Sequence, residues 1–77
     1  MLADLVERMA KALVDNPEQV QVTEMETENT LVIELNVAKE DVGKVIGKKG
    51  RTARALRDIL AAASGKTKKR ATLEIMD

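Results

Sequence analysis

Between Leu31 and Val37, large aliphatic residues take every second place: Leu31, Ile33, Leu35 and Val37, with Val32, Glu34 and Asn36 between them. A period of two puts one set of side chains on one face of a strand, so this segment demands a sheet with a face buried against something else. Val20 and Val22 alternate with Gln19, Gln21 and Thr23 and predict a second strand over 20–26. The polar stretch Glu26-Thr27-Glu28-Asn29 predicts a turn between the two, with Asn29 able to adopt a left-handed conformation, and the pair is expected to form a β-hairpin.

The covering elements are helical. Leu2, Leu5, Val6, Met9, Ala10, Leu13 and Val14 follow the i, i+3, i+4, i+7 spacing of an amphipathic helix. Asp15-Asn16-Pro17 stops it, because proline disfavours helix at the residue before it. A short helix is expected from Lys39 to Ile46 with Val42, Val45 and Ile46 inward, and Gly47-Lys48-Lys49-Gly50 interrupts it. The next helix, from about Arg51 to Ser64, has Ala53, Leu56, Ile59, Leu60 and Ala63 at helical spacing, and Gly65 is expected as its left-handed stop. Lys66 to Lys69 read as a basic loop. Ala71, Leu73 and Ile75 then alternate with Thr72, Glu74 and Met76 as a last strand.

The order is α-β-β-α-α-β, an α+β class, without repeat or linker, and residues 1–77 are expected to form one domain. Strand–helix–turn–helix–strand is a crossover unit, so the last strand should run parallel to the 31–37 strand through a right-handed connection. With the hairpin partner on the other side, this gives a three-stranded mixed sheet with three helices packed on one face.

The chain has no Phe, Tyr, Trp, Cys or His. That excludes aromatic stacking platforms, disulfides, zinc knuckles, thiol chemistry and the commonest general base and metal ligand. No cofactor is expected, and Ser64, the one serine, has no base beside it, so catalysis lacks its parts. A 77-residue chain buries only about 60–65% of its unfolded surface, and without staples self-association or a partner chain is expected. The face containing Ala53, Leu56 and Leu60, or an exposed sheet edge, is the expected contact. Asp4, Glu7 and Arg8 interrupt the start in a way no signal peptide does, and no run approaches the roughly 20 apolar residues of a membrane span. A soluble, intracellular domain is expected.

The formal net charge is zero, yet the charges are segregated. Residues 1–43 carry three bases and ten acids, whereas residues 44–70 carry ten bases and one acid, Asp58. Such a chain has a dipole whose basic segment can meet an anion, or its halves can pair across the fold or a dimer interface.

The chemistry concentrates in Val45-Ile46-Gly47-Lys48-Lys49-Gly50-Arg51. Glycines let two backbones approach closely, and N–H groups at the start of the second helix, with its dipole, make a seat for phosphate oxygens. Lys48 and Lys49 sit between the glycines, Lys44 precedes, and Arg51 and Arg54 follow.

VIGKKGR between two short helices resembles the signature loop of the KH domain, a single-stranded RNA- and DNA-binding module in which that loop clamps about four nucleotides. The element order resembles the prokaryotic, type II arrangement. With NPEQV after the first helix and GRTARALRDILAAA after the loop, the likeness covers essentially the whole chain and extends to the small stand-alone bacterial KH proteins of the KhpA family. It implies that Gly47, Lys48, Lys49 and Gly50 hold phosphates, that Val45, Ile46 and Leu56 shape the groove floor, and that Lys44, Arg51 and Arg54 belong to the same RNA-binding surface. Many KH domains have a large aliphatic residue three positions after the second glycine; Ala53 stands there, which implies a shallower groove. Gly43 is expected to relieve crowding in the short helix. The resemblance further implies a cytoplasmic RNA chaperone or post-transcriptional regulator that acts as a homodimer or with a larger KH-containing partner of the KhpB/Jag type, in cell-shape and cell-wall control. The alternative is a protein-interaction module whose basic face docks on an acidic partner, with RNA incidental.

Two other patterns lack their context. Gly65-Lys66-Thr67 resembles the end of a P-loop, but the glycine needed five positions earlier is Leu60, and a helix precedes. Glu24, Glu26 and Glu28 read as a solvated strand edge, with no calcium-loop geometry.

Overall fold

Leu31, Ile33 and Leu35, from the most strictly alternating segment, are the centre of the core: Ile33 and Leu35 are fully buried and Leu31 nearly so. In the computed structural model, which describes residues 2–65 and 69–76, they lie on the middle strand of a three-stranded sheet. The elements in chain order are α1 (Leu2–Leu13), β1 (Gln21–Glu26), β2 (Thr30–Asn36), α2 (Val42–Ile46), α3 (Arg51–Ser64) and β3 (Arg70–Met76). β1 pairs antiparallel with β2, placing Val22 opposite Leu35. β3 runs parallel to β2 on the other side, placing Leu73 beside Ile33 and Ile75 beside Leu35. Val6 and Ala10 of α1, Val45 of α2 and Leu56 and Leu60 of α3 close over that aliphatic face. The mixed sheet, the parallel crossover and the helices against one face agree with the α-β-β-α-α-β reading. Among the described residues no helix is long and apolar enough to cross a membrane.

Several local expectations are corrected. Val20 is buried ahead of β1, its N–H closing a 3-10 turn over Pro17–Gln19 by donating to the Pro17 carbonyl. Asn29 makes no use of its capacity for a left-handed conformation; Lys49 is the only described residue other than glycine with positive φ. The hairpin closes instead through Thr27, whose N–H donates to the Thr30 carbonyl at 2.8 Å and whose hydroxyl accepts the Thr30 N–H at 3.0 Å. Gly65 has right-handed backbone angles and donates to the Ala62 carbonyl, so α3 ends in a tightened turn. The expected helix from Lys39 starts as a 3-10 turn over Lys39–Asp41, and Ile46 at its end points to solvent, 39% exposed. On α3, Ile59 and Ala63 are exposed and Ser64 is buried, because the helix presents a narrow stripe, Ala53, Leu56, Leu60 and Ser64, to the sheet. That burial removes Ala53 and Leu60 from the expected contact face for a second chain, while Leu56 lines a cavity beside α1. A Cβ on Gly43 would meet nothing within 4 Å, so this glycine relieves no crowding. Of the expected basic loop, residues 66–68 lie outside the described residues.

Asp41 is a fully buried carboxylate that no sequence pattern announced. It stands at the start of α2 without capping that helix. Its oxygens accept the backbone N–H groups of Asp15 and Asn16, at 3.3 and 3.0 Å, and the Asn16 side-chain amide at 3.0 Å. The chain leaving α1 is thereby fastened to the helix that leads into the glycine loop. Burial pushes the Asp41 carboxyl up, but the Asn16 amide, the two backbone N–H groups and the Lys44 ammonium together outweigh it and hold the group below its ordinary value of 3.8. A carboxyl lowered by folding contributes stability that is present above its unfolded pKa and lost as pH falls through the lower folded value. Asp41→Asn is therefore expected to melt at a lower temperature at neutral pH, and to lose less stability than the parent on acidification below about pH 4. Thermal melts across that range check this, and equal acid sensitivity in both proteins would contradict it.

Candidate nucleic-acid interface

The loop from Gly47 to Gly50 joins α2 directly to α3. Gly47 (φ 77°, ψ 170°), Lys49 (φ 58°, ψ 25°) and Gly50 (φ 74°, ψ 13°) all have positive φ. The Gly47 conformation is one that essentially only glycine adopts. Space forbids a side chain there as well: a Cβ would stand 2.2 Å from Thr52 Oγ1 and 2.8 Å from the Thr52 nitrogen. At Gly50 a Cβ would meet nothing within 4 Å, so that position is restricted by its angles alone.

The expected outward-facing N–H groups are partly used inside the turn. Gly50 N–H donates to the Gly47 carbonyl at 3.1 Å, and Arg51 N–H donates to the Lys48 carbonyl. No side-chain hydrogen bond caps α3, whose cap residue is Gly50, so the positive end of the helix dipole is left open directly after Lys48 and Lys49 in the chain. Both lysines are exposed, as are Arg51 and Arg54.

The structure sorts the cations into two sets. Lys11 pairs with Glu7 at 2.7 Å, Lys44 with Asp15 at 2.6 Å and with Asp41 at 3.7 Å, and Lys69 with Glu26. Among the described residues Lys48, Lys49, Arg51 and Arg54 enter no ion pair. Their charge is therefore available to an outside anion.

The site residues read from the sequence thus divide. Gly47, Lys48, Lys49, Gly50, Arg51 and Arg54 come together on the loop and the first turns of α3. Lys44 is drawn away into the Asp15–Asp41 cluster, where the hydrogen-bonded Asp15 carboxylate raises its pKa against the opposing effect of burial, with Asp41 adding to the rise. Val45 is fully buried and supports the loop from beneath; Leu56 is almost as deep. Ile46 alone of the three apolar positions presents a surface. Ala53 is buried too, so the small residue there is a matter of core packing. The role of Thr52 behind Gly47 had no signal in the sequence beyond adjacency.

Comparison with known proteins follows this geometry. The family described as "KhpA/KhpB, KH domain" matches residues 3–75. The chain is 58% identical over 76 residues to a protein of Aquifex aeolicus named RNA-binding protein KhpA, covering 99% of this chain and 96% of that one. It is 52% identical over 75 residues to the protein of that name from Caldanaerobacter subterraneus subsp. tengcongensis, covering 97% and 100%. With the Clostridium acetobutylicum protein of the same name it shares 49% over 75 residues, covering 97% and 100%.

The two glycines should respond differently to substitution. Gly50→Ala is expected to cost about 1 kcal/mol, the penalty of a left-handed alanine in open space. Gly47→Ala adds a steric conflict to a glycine-only conformation and is expected to cost about 2–3 kcal/mol or more. Denaturant unfolding checks the order, and a Gly47→Ala chain as stable as Gly50→Ala would refute the close approach to Thr52.

Proposed function

This chain belongs to the KhpA/KhpB KH-domain family, and from that premise we propose that it is a non-catalytic module that binds single-stranded RNA through the Gly47–Gly50 loop. The observation that carries the reading is the pair Lys48 and Lys49, held between two positive-φ glycines at an uncapped helix N-terminus with no counter-charge among the described residues. Phosphate contacts supply the affinity, and exposed Ile46 offers an apolar edge to a base. Without aromatic rings the chain reads bases by contact and hydrogen bonding, so backbone capture dominates. The chain acts as one KH domain over residues 1–77, an RNA chaperone or post-transcriptional regulator of the cytoplasm.

It works as a homodimer or with a larger KH-containing protein of the KhpB/Jag type, in cell-shape and cell-wall control. The surface that suits such a contact is the side of α3 facing α1. A cavity of about 320 Å³ lies there, lined by Met9, Ala12, Leu13, Thr52, Ala55 and Leu56. Ile59, at helical spacing from Ala55, is 44% exposed, and Leu13 is 39% exposed.

Replacing Lys48 and Lys49 by Asp leaves both glycines and every buried residue in place, so stability should change by about 0.5 kcal/mol or less. Binding of single-stranded RNA should fall at least roughly tenfold, about 1.4 kcal/mol. With about three phosphate contacts the parent's log K falls against log salt with a slope near −2, and the double variant's slope is flatter. A variant with unchanged circular dichroism that binds as tightly as the parent, at the same slope, would overturn the clamp and favour docking of the basic face on an acidic protein.

A further inference from the structure

Thr52 stands between two features of the molecule. On one side its Oγ1, Cβ and backbone nitrogen lie so close to Gly47 that a Cβ there has no room. On the other it lines the apolar cavity between α1 and α3, together with Met9, Ala12, Leu13, Ala55 and Leu56. Its hydroxyl makes no hydrogen bond among the described residues, so packing alone sets the position of the side chain. Part of that packing is the loop. The rest borders the cavity, where lining atoms forgo dispersion contacts.

The opposite wall of the cavity is linked to the loop as well. Leu13 ends α1, and just beyond it the N–H groups of Asp15 and Asn16 donate to the Asp41 carboxylate. Asp41 directly precedes α2, and α2 runs into Gly47, whose N–H donates to the Gly43 carbonyl at 2.9 Å. Both walls therefore end on the same residue, α3 through Thr52 and α1 through Asp41 and α2. The spacing of α1 and α3 is thus tied to the spacing of the two helix ends that the glycine loop joins. Gly47, Lys49 and Gly50 of that loop have positive φ, and for the lysine such a conformation persists only where its surroundings hold it.

We infer that the cavity between α1 and α3 controls the loop: apolar groups that fill it press Thr52 onto Gly47, hold the loop in its binding conformation and tighten RNA binding without touching RNA. This rests on the RNA-binding reading above. The gain comes from ordering the loop before the ligand arrives. By linkage, a partner seated in the cavity and RNA on the loop strengthen each other's binding by the same factor.

Ala12→Leu and Ala55→Leu test the inference in dilute protein, because each adds aliphatic volume to the cavity from one wall, at a residue exposed on its rim. Each variant is expected to bind a short single-stranded RNA about fivefold more tightly than the parent, at the low end of coupling between two sites. The slope of log K against log salt stays the parent's, because no cation is added. Without RNA, hydrogen exchange of the Gly50 N–H, bonded to the Gly47 carbonyl, should slow relative to the amides of β2. Thr52→Ala removes the Oγ1 that meets Gly47, and Ala12→Leu in that background is expected to gain nothing on either measurement. Circular dichroism shows which variants fold, and should one substitution unfold the chain the other carries the test. Unchanged or weaker RNA binding in a folded variant, or a gain that survives Thr52→Ala, would overturn the control and leave the loop clamp standing. A parent that binds no RNA would overturn the clamp itself and the control of binding with it.

Discussion

The contact between the Gly47 backbone and Thr52 decides where the rest of the site can be. α2 and α3 are joined by so few residues that the turn must double back on the start of the second helix, and only a residue without Cβ fits between them. Three of the four loop residues then have positive φ. Two are glycines, for which that conformation is inexpensive, and the third is Lys49. Holding a lysine there costs about 1 kcal/mol relative to a right-handed residue. A loop selected for stability alone would have a glycine or asparagine at 49; a lysine fits a loop selected to present a cation.

Charge is arranged on the same principle. The neutral total arises from acids and bases that the fold distributes unequally. Two of the paired cations also hold the fold together, since Lys44 closes the cluster around Asp41 and Lys69 joins the region before β3 to the end of β1. The cations of the loop and of the arginine row on α3 have no such internal partner among the described residues. The acids of the first half keep the molecule neutral overall without pairing with that surface, so the site remains positive. Asp41 connects the two arrangements, since it fixes the α1 exit and the approach to the loop in one buried cluster.

The features legible in the sequence were those with a period or a local rule. Leu31, Ile33 and Leu35 announced the central strand, the helical spacing of α1 announced its buried stripe, and two glycines flanking two lysines announced the loop. The crossover rule turned these into the correct sheet topology. What stayed illegible depends on contacts distant in sequence. Lys44 looked like any other cation of the basic segment, because its partner Asp15 is 29 residues away. Asp41 had no sequence signal, because its partner Asn16 is 25 residues away. Asn29 and Gly65 have the composition of left-handed positions, but a threonine hydroxyl and a tightened last turn satisfied those backbones first. Ile46 and Ile59 share the periodicity of core residues, and only the narrowness of the buried stripe on each helix shows that they face outward.

The central claim, that an anionic strand is held by the backbone and lysines between Gly47 and Arg51, is tested most directly by following backbone amide resonances of the whole chain during titration with a short single-stranded RNA. The account predicts that the largest shifts fall on residues 47–51 and continue to Arg54. The outer face of the sheet, where Thr23, Glu34 and Glu74 stand in register, should be unmoved. Shifts centred on that face or on the cavity between α1 and α3, with the loop amides unchanged, would contradict it.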